Sequence, residues 1–354
     1  MKRILAITAI ALAASAGMFV GLKNRGDSSN SLLTGPQGAR IQKAYQEWKV
    51  KNRRLYGTPA ESSFRKTVFA KNFIKIDDVN NKNLNYKFAL NQFSDLTAEE
   101  IKAQYFGLGN PKDLKLTTSR RRLEEDSETI KGLGQLASHK DWETDSDLGE
   151  VVHQGGCGSC YSFATVISLE HQYYKKNGKR VDISKQELVD CSKGFGNSGC
   201  RGGWMHQAYD YVLQNGGLQL SSSYPYFSAE GSTCKQNSAK NVKGLLSSYV
   251  RIDEHDNHHI MRALEHAVVP SAVDASDLSF YSSGVYDNKE CRSDINHAIV
   301  IVGYGQDANG TKYWKIRNSW GNYWGENGYF KLLRHEGRAE GICGITQYNV
   351  YPVA

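Results

Sequence analysis

Between residues 40 and 110 the chain is rich in Lys, Asn, Gln and Glu, with apolar residues at helical spacing. Phe69, Phe73, Ile76 and Val79 recur at three and four, which predicts one buried face of an amphipathic helix. The pattern fails over residues 110–135, where large apolar residues are few and charge is dense, as in a linker. Arg120-Arg121-Arg122 within it invites proteolytic nicking. From about residue 136 the chain turns aromatic and glycine-rich. Ser159 to about Tyr174 places Phe163, Val166, Ile167 and Glu170-His171 in helical order, and residues 257–267 predict a second helix. The later segments SAVDA, HAIVIVGYG, TKYWKIRNSW and GYFKLLR alternate or run apolar and predict strands, with Asp307-Ala308-Asn309-Gly310 as a hairpin turn. Helices first and strands later point to an α+β fold with two lobes.

Charge changes the picture only by its distribution. The net charge of +7 over 354 residues splits unevenly. Residues 1–135 carry 23 Lys+Arg against 13 Asp+Glu, about +10, and residues 136–354 carry 21 against 24, about −3. The basic excess sits in the N-terminal third, so no nucleic-acid groove is expected. The opening segment has Lys2 and Arg3, an apolar run from Ile4 to about Ala13, and Ala14-Ser15-Ala16. This is the order of a cleaved secretory signal at residues 1–16, or to residue 21. The rival is a signal anchor, since weakly apolar residues continue to about Leu22. The run is rich in Ala and broken by Ser15 and Gly17, which favours cleavage, and no stable membrane anchor is expected. No other stretch is long enough to span a bilayer. The expected localisation is the secretory pathway, ending in a lysosome, a lysosome-like vacuole or the extracellular space.

That route makes disulfides favourable. Seven cysteines are present, at 157, 160, 191, 200, 234, 291 and 343. An odd number leaves at least one thiol without an internal partner, and such a thiol is a candidate for reactivity.

The most informative stretch is His153-Gln154-Gly155-Gly156-Cys157-Gly158-Ser159-Cys160-Tyr161-Ser162-Phe163. A cysteine at a helix start has its thiolate favoured by the dipole and by unpaired N–H groups. Read alone, Cys160 is a nucleophile, a half-cystine, or part of a redox or zinc Cys-x-x-Cys. The chain resembles the papain and cathepsin family through Gly156-Cys157-Gly158-Ser159-Cys160-Tyr161, with Tyr where many members carry Trp. Gln154 matches that family's oxyanion-hole glutamine. His297 lies 137 residues beyond Cys160 and Asn318 lies 158 beyond it, in Asn-Ser-Trp-Gly. The resemblance implies a Cys160–His297 thiolate–imidazolium pair, an orienting Asn318 and a shielding Trp320. It also implies the pairings Cys157–Cys200, Cys191–Cys234 and Cys291–Cys343, which leave Cys160 over. A helical left lobe and a β-barrel-like right lobe are expected, preceded by a helical inhibitory prodomain.

The basic third carries the rest of the likeness. Glu61, Arg65, Phe69, Asn72, Ile76 and Asn80 fill E-x3-R-x3-F-x2-N-x3-I-x3-N, the prodomain pattern of cathepsin L-like proenzymes. Ala89-Leu90-Asn91-Gln92-Phe93-Ser94-Asp95 resembles its second motif, with Ala89 where Gly is usual. The implied organisation is a prodomain over 17–135, including the 110–135 linker, and a peptidase over 136–354. The prodomain is expected to run backwards through the cleft, and its charge to complement the enzyme, so that release occurs below about pH 5 as carboxylates are protonated.

Family alignment lines the second subsite with Met205, Ala272, Ile295, Ala298 and Tyr348, and gives Gly202 and Gly203 backbone contacts to substrate. An apolar residue two before the scissile bond is therefore expected. Trp204 either narrows the third subsite or packs on the surface. His258-His259 resembles an occluding loop but falls at a predicted helix start, so endopeptidase is expected. Asn309-Gly310-Thr311 is a glycosylation sequon. The expected partners are protein and peptide substrates and the chain's own prodomain, with a monomeric state. No metal or organic cofactor is expected. Two other classes predict different thiol chemistry or none: an inactive peptide-binding homologue, and a redox protein bridging Cys157 to Cys160.

Overall fold

The structure, a computed structural model, describes residues 32–109, 136–335 and 337–354. The expected signal segment and the 110–135 linker lie outside the described residues. The chain divides into two compact units, residues 1–71 and 72–354.

In the first unit, α1 (Gly35–Lys51) starts on a Gly-Pro pair and ends with Lys49 and Lys51 in its last turn, where the dipole favours cations. It buries Ile41, Tyr45 and Trp48. The helix α2 (Pro59–Asn80) carries the ring of Phe69, fully buried at 5.1 Å from Tyr45 and 5.2 Å from Trp48. Of the other motif positions here, Glu61 accepts from the Gly57 amide and the Arg65 guanidinium lies 5.3 Å from the Phe64 ring.

The second unit begins inside α2 and explains the two asparagines of the pattern. Asn72 donates to the carbonyls of Ser94 and Leu96, and Asn80 both donates to and accepts from the Phe88 backbone. Each side chain thus satisfies backbone groups that no strand ladder serves. Asn80 fixes β1 (Tyr86–Phe88), which pairs antiparallel with β5 (Tyr281–Tyr286). After a turn, Thr97 and Glu100 form a capping box that starts α3 (Ala98–Tyr105).

Beyond the undescribed stretch come β2 (Lys140–Asp141) and α4 (Trp142–Asp145), then the central helix α5 (Cys160–Asn177). Cys160 to His171 are all buried, so this helix is core on every side for three turns. It packs against α6 (Lys185–Cys191) and α7 (Met205–Asn215), which complete the helical part. The later half is mainly strands: β3 (Ser248–Ile252), β4 (Val269–Val273), β6 (His297–Gln306), β7 (Lys312–Arg317), β8 (Tyr329–Leu333) and β9 (Asn349–Val353). With β5 they lie in the order β1-β5-β8-β7-β6-β4-β9-β3, and β2 joins the side of β6. The path is open, with β1 at one edge and β3 at the other.

The helix expected over 257–267 is shorter: α8 covers Asn257–Leu264, and residues 265–267 close it with tight turns before the chain enters β4 at Val269. His258 and His259 do lie at its start, where Asp256 caps it by accepting from the His259 amide. The Asp307–Gly310 turn is closed by bonds from Thr311 and Asn309 amides to Asp307 Oδ1, with Gly310 at φ +86°. The sequon residue Asn309 is exposed on it.

Candidate active site

Cys160 is the first residue of α5, following Ser159 as N-cap. The loop before it is tied down on both sides. Cys157 bonds Cys200 (S–S 2.04 Å), the Gly158 amide donates to the Cys200 carbonyl, and Tyr226 donates to the Gln154 carbonyl. The other bridges are Cys191–Cys234 and Cys291–Cys343, and Cys160 alone is a free thiol. Cys157 is therefore engaged elsewhere, and the bond a Cys157–Cys160 redox pair requires is not formed. Among the described residues no group of three or more His, Cys, Asp and Glu could hold a metal ion, and His153 Nδ1 instead accepts from the Gly155 amide.

His297 opens β6 and is fully buried. Its Nε2 pairs with Asn318 Oδ1 at 2.8 Å. The same oxygen accepts from the Ser319 amide, which fixes the Asn318 amide orientation. The Trp320 ring lies 4.8 Å from the imidazole, and Phe93, Phe106 and Trp324 surround that indole. The next residue along β6, Ala298, donates its amide to Cys160 Sγ at 3.3 Å, so α5 and β6 bring the thiol beside the histidine position. His297 Nδ1 has no hydrogen bond of good geometry.

Both groups are held neutral here. Burial pushes the Cys160 thiol up to about 11, against the pull of the Ala298, Gly107, Tyr161 and Cys160 amides. Burial pulls His297 down to about 4, opposed by Asn318 and the Tyr105 backbone.

What covers them is residues 105–109, which begin on the last residue of α3 in the same compact unit. Gln154 Nε2 donates to the Tyr105 carbonyl (3.0 Å) and to the Cys157 carbonyl, while its Oε1 accepts from Ser319 Oγ. The Gly203 amide donates to the Gly107 carbonyl, the Gly109 amide donates to the Gly203 carbonyl, and Leu108 forms a parallel bridge to Gly203. The Leu108 amide donates to the Asn296 carbonyl. Glycine is required in this segment by close approach: a Cβ on Gly107 would sit 1.9 Å from the Gly158 carbonyl oxygen. Upstream, Asn91 donates to the Ser279 carbonyl and Gln92 to the Trp320 carbonyl, and the Phe93 ring lies edge-on to Trp320.

The remaining candidates also have definite places. Gly202 sits at φ +113° beside the Gly107 carbonyl. Met205, Ala272, Ala298 and Tyr348 are essentially inaccessible and Ile295 nearly so. The Tyr348 hydroxyl accepts from the His206 amide and pairs with His206 Nδ1 at 2.8 Å, and its ring lies 4.8 Å from Trp204. Trp204 is 1% exposed, which removes the surface-packing alternative; a Cβ on Gly109 would meet its indole nitrogen. Sequence reasoning missed Tyr105 to Gly109 and Ser319. A signal for the first was available in Phe106-Gly107-Leu108-Gly109, two glycines flanking one apolar residue directly after a helix.

Comparison with known proteins decides what this arrangement is. Residues 136–353 match the papain family cysteine protease model, and residues 45–101 match that of the cathepsin propeptide inhibitor domain (I29). The chain belongs to the papain family of cysteine proteases. It is 35% identical over 314 residues to fruit bromelain of Ananas comosus, covering 88% of this chain and 86% of that one. Ananain of the same plant is 36% identical, with 88% of both chains covered. Among solved structures, a recombinant stem bromelain precursor superposes with a TM-score of 0.77 at 32% identity, covering 89% of this chain and 99% of that chain. A digestive procathepsin L 3 of Tenebrio molitor gives 0.76 at 34%, with the same coverage. This papain-family chain is thus a cysteine protease in its zymogen form, with its own propeptide as inhibitor.

Proposed function

We propose that the chain is a cathepsin L-like endopeptidase whose chemistry rests on Cys160, His297, Asn318 and Gln154. The observation that carries this is the Tyr105 carbonyl, a peptide carbonyl that accepts from Gln154 Nε2 and also faces His297. In the active enzyme a substrate carbonyl takes that place. Cys160 gives its proton to His297 Nδ1, and the thiolate attacks the carbonyl carbon. The oxyanion is held by Gln154 Nε2 and the Cys160 amide at the N-terminus of α5. His297 then returns the proton to the leaving amine as the C–N bond breaks. Water, deprotonated by His297, hydrolyses the thioester and regenerates the thiol. Asn318 holds the ring through Nε2, and Trp320 keeps water from that bond.

In the zymogen residues 105–109 occupy this position as a non-substrate. The parallel bridge at Gly203 supports a chain direction opposite to that of a substrate. Met205, Ala272, Ile295 and Ala298 offer an apolar second subsite, closed by Tyr348, which favours an apolar residue two before the scissile bond. Acid release below about pH 5 rests on the opposite net charges of propeptide and enzyme, of which the Lys75–Asp277 pair at 3.1 Å is one contact. Both partners of that pair are half exposed, so it contributes little alone. The mature enzyme is a monomer starting near Leu136, made in the secretory pathway and delivered to a lysosome, a vacuole or the outside. Asn309 carries the glycan.

The test is hydrolysis of a fluorogenic dipeptide with an apolar second residue, using the precursor incubated with thiol at acid pH beside Cys160→Ala. Activity that appears as about the first 135 residues are lost, and only with Cys160 present, supports the proposal. Silence of both proteins after propeptide loss, with the disulfides intact, supports the inactive peptide-binding homologue instead.

A further inference from the structure

The two donors proposed for the oxyanion sit on different pieces of backbone. Gln154 lies in the loop before α5, and the Cys160 amide belongs to the first residue of that helix. One side chain bridges the two pieces. The Tyr226 hydroxyl donates to the Gln154 carbonyl and lies 2.7 Å from the hydroxyl of Ser159, the residue directly before Cys160. The proton count fixes both directions. A carbonyl only accepts and the phenol has one hydrogen, so Ser159 Oγ donates to Tyr226. Ser159 is the N-cap of α5, yet its side chain makes no capping hydrogen bond. An N-cap serine ordinarily accepts from the first turn of its helix, whereas this hydroxyl is given to Tyr226.

The tyrosine is itself held in place. Its ring packs edge-on against Phe163 of α5, with centroids 4.9 Å apart. Its loop is anchored at the start of α6: Ser184 Oγ donates to the Tyr224 carbonyl, the Phe227 amide donates to Gln186 Oε1, and Gln186 Nε2 donates to the Ala229 carbonyl. Burial pushes the Tyr226 hydroxyl up to about 12, with Ser159 and Ser228 opposing, so it stays a donor throughout the acid and neutral range. Gln154 is thus gripped on each polar group. Its amide donates to the Ser319 carbonyl, its Oε1 accepts from Ser319 Oγ, and its carbonyl accepts from Tyr226. We infer that Tyr226 is a positioning residue, whose hydroxyl sets the spacing between the Gln154 side chain and the Cys160 amide. It acts through Gln154 and Ser159. Donors that need not move as charge develops stabilise the transition state most, and a loop free to shift would lose that advantage. This role rests on the proposed reading of Gln154 and the Cys160 amide as the oxyanion donors.

Tyr226→Phe keeps the ring and removes only the hydroxyl. In the activated enzyme, kcat for the fluorogenic dipeptide is expected to fall about tenfold with KM little changed. With Gln154→Ala already present, the same substitution lowers kcat by about twofold or less, because the placing of a missing donor no longer matters. Iodoacetamide attacks a saturated carbon and passes through no oxyanion. Its rate with Cys160 should therefore stay within about twofold of wild type in Tyr226→Phe, and its stoichiometry counts the working thiols to which kcat is referred. An unchanged kcat overturns the role of Tyr226. So does an equal loss in both backgrounds, or a parallel fall in alkylation rate, since each would show a general disturbance of the helix start. If Gln154→Ala alone leaves kcat unchanged, the oxyanion assignment fails and the role of Tyr226 with it. If Gln154→Ala lowers kcat and Tyr226→Phe does not, only the role of Tyr226 fails.

Discussion

Gln154 holds the carbonyl of Tyr105 through its side-chain amide at 3.0 Å, and it is itself held by the hydroxyl of Ser319 on Oε1. The donor proposed for the oxyanion is thus oriented and already engaged in the zymogen. Gln154→Ala is expected to lower kcat of the activated enzyme by about 10²–10³ with little change in KM, as for loss of one oxyanion donor. Steady-state kinetics with the fluorogenic dipeptide measures it. An effect confined to KM would remove Gln154 from the transition state.

Gly107 lies against the Gly158 backbone with no room for a side chain. Gly107→Val is expected to lift residues 105–109 off the cleft without touching the peptidase itself. The precursor then shows dipeptide hydrolysis at neutral pH, before any cleavage, where the wild type shows none. Zymogen activity and a gel sampled over the same minutes check this, and a silent variant would show that these residues do not carry the block.

Thiol reactivity follows from the environment of Cys160. With its pKa pushed to about 11, the thiolate fraction in the zymogen at pH 7 is ~10⁻⁴. Alkylation of the precursor by iodoacetamide should be slow at pH 5–8 and rise with pH toward 11. After propeptide removal the thiol is no longer buried and reaction becomes fast at acid pH. Rates measured by mass spectrometry before and after processing distinguish the two, and equal rates contradict the role given to burial.

His171, three turns into α5, is 1% exposed, packs edge-on against Trp142 at 4.6 Å, and has no hydrogen bond on either ring nitrogen. Burial, then Lys175 and Lys140, pull its pKa down to about 3. The folded state therefore favours the neutral ring. That contribution is complete above about pH 6.5 and is lost as the pH falls toward 3. His171→Leu should match wild type at pH 7 and exceed it by about 3 kcal/mol at pH 4. Denaturant unfolding of the Cys160→Ser precursor at both pH values measures this. A parallel pH profile in the two proteins would show that His171 does not titrate with unfolding.

Asn80 makes two hydrogen bonds to the Phe88 backbone. Asn80→Ala leaves both groups without that partner and is expected to destabilise the zymogen by about 1–3 kcal/mol. It should also accelerate processing, because β1 loses its anchor. A change in stability with no change in processing would separate Asn80 from propeptide docking.

Local pattern determined much of this protein. The apolar period of the 59–80 segment reports the face that buries Phe69, Phe73 and Ile76, because a helix repeats its environment every three or four residues. The run at 297–305 names a strand because every residue of it is buried, and that at 328–334 because most of its residues are. Cys160 stood out through the Gly156-to-Tyr161 stretch that resembles the papain and cathepsin family, whose pairings leave it over. Other strands escaped: Ser248–Ile252, Tyr281–Tyr286 and Asn349–Val353 are short and mixed in pattern, and are held by their neighbours in the sheet. The same holds for β1, which exists through Asn80 and β5. Only the tertiary structure decided that residues 105–109 lie on the thiol, that Ser319 orients Gln154, and that Trp204 is buried under Gly109. Each of these joins segments distant in the chain. Sequence period fixes which face of an element is apolar, whereas the partner it meets depends on how the whole chain packs.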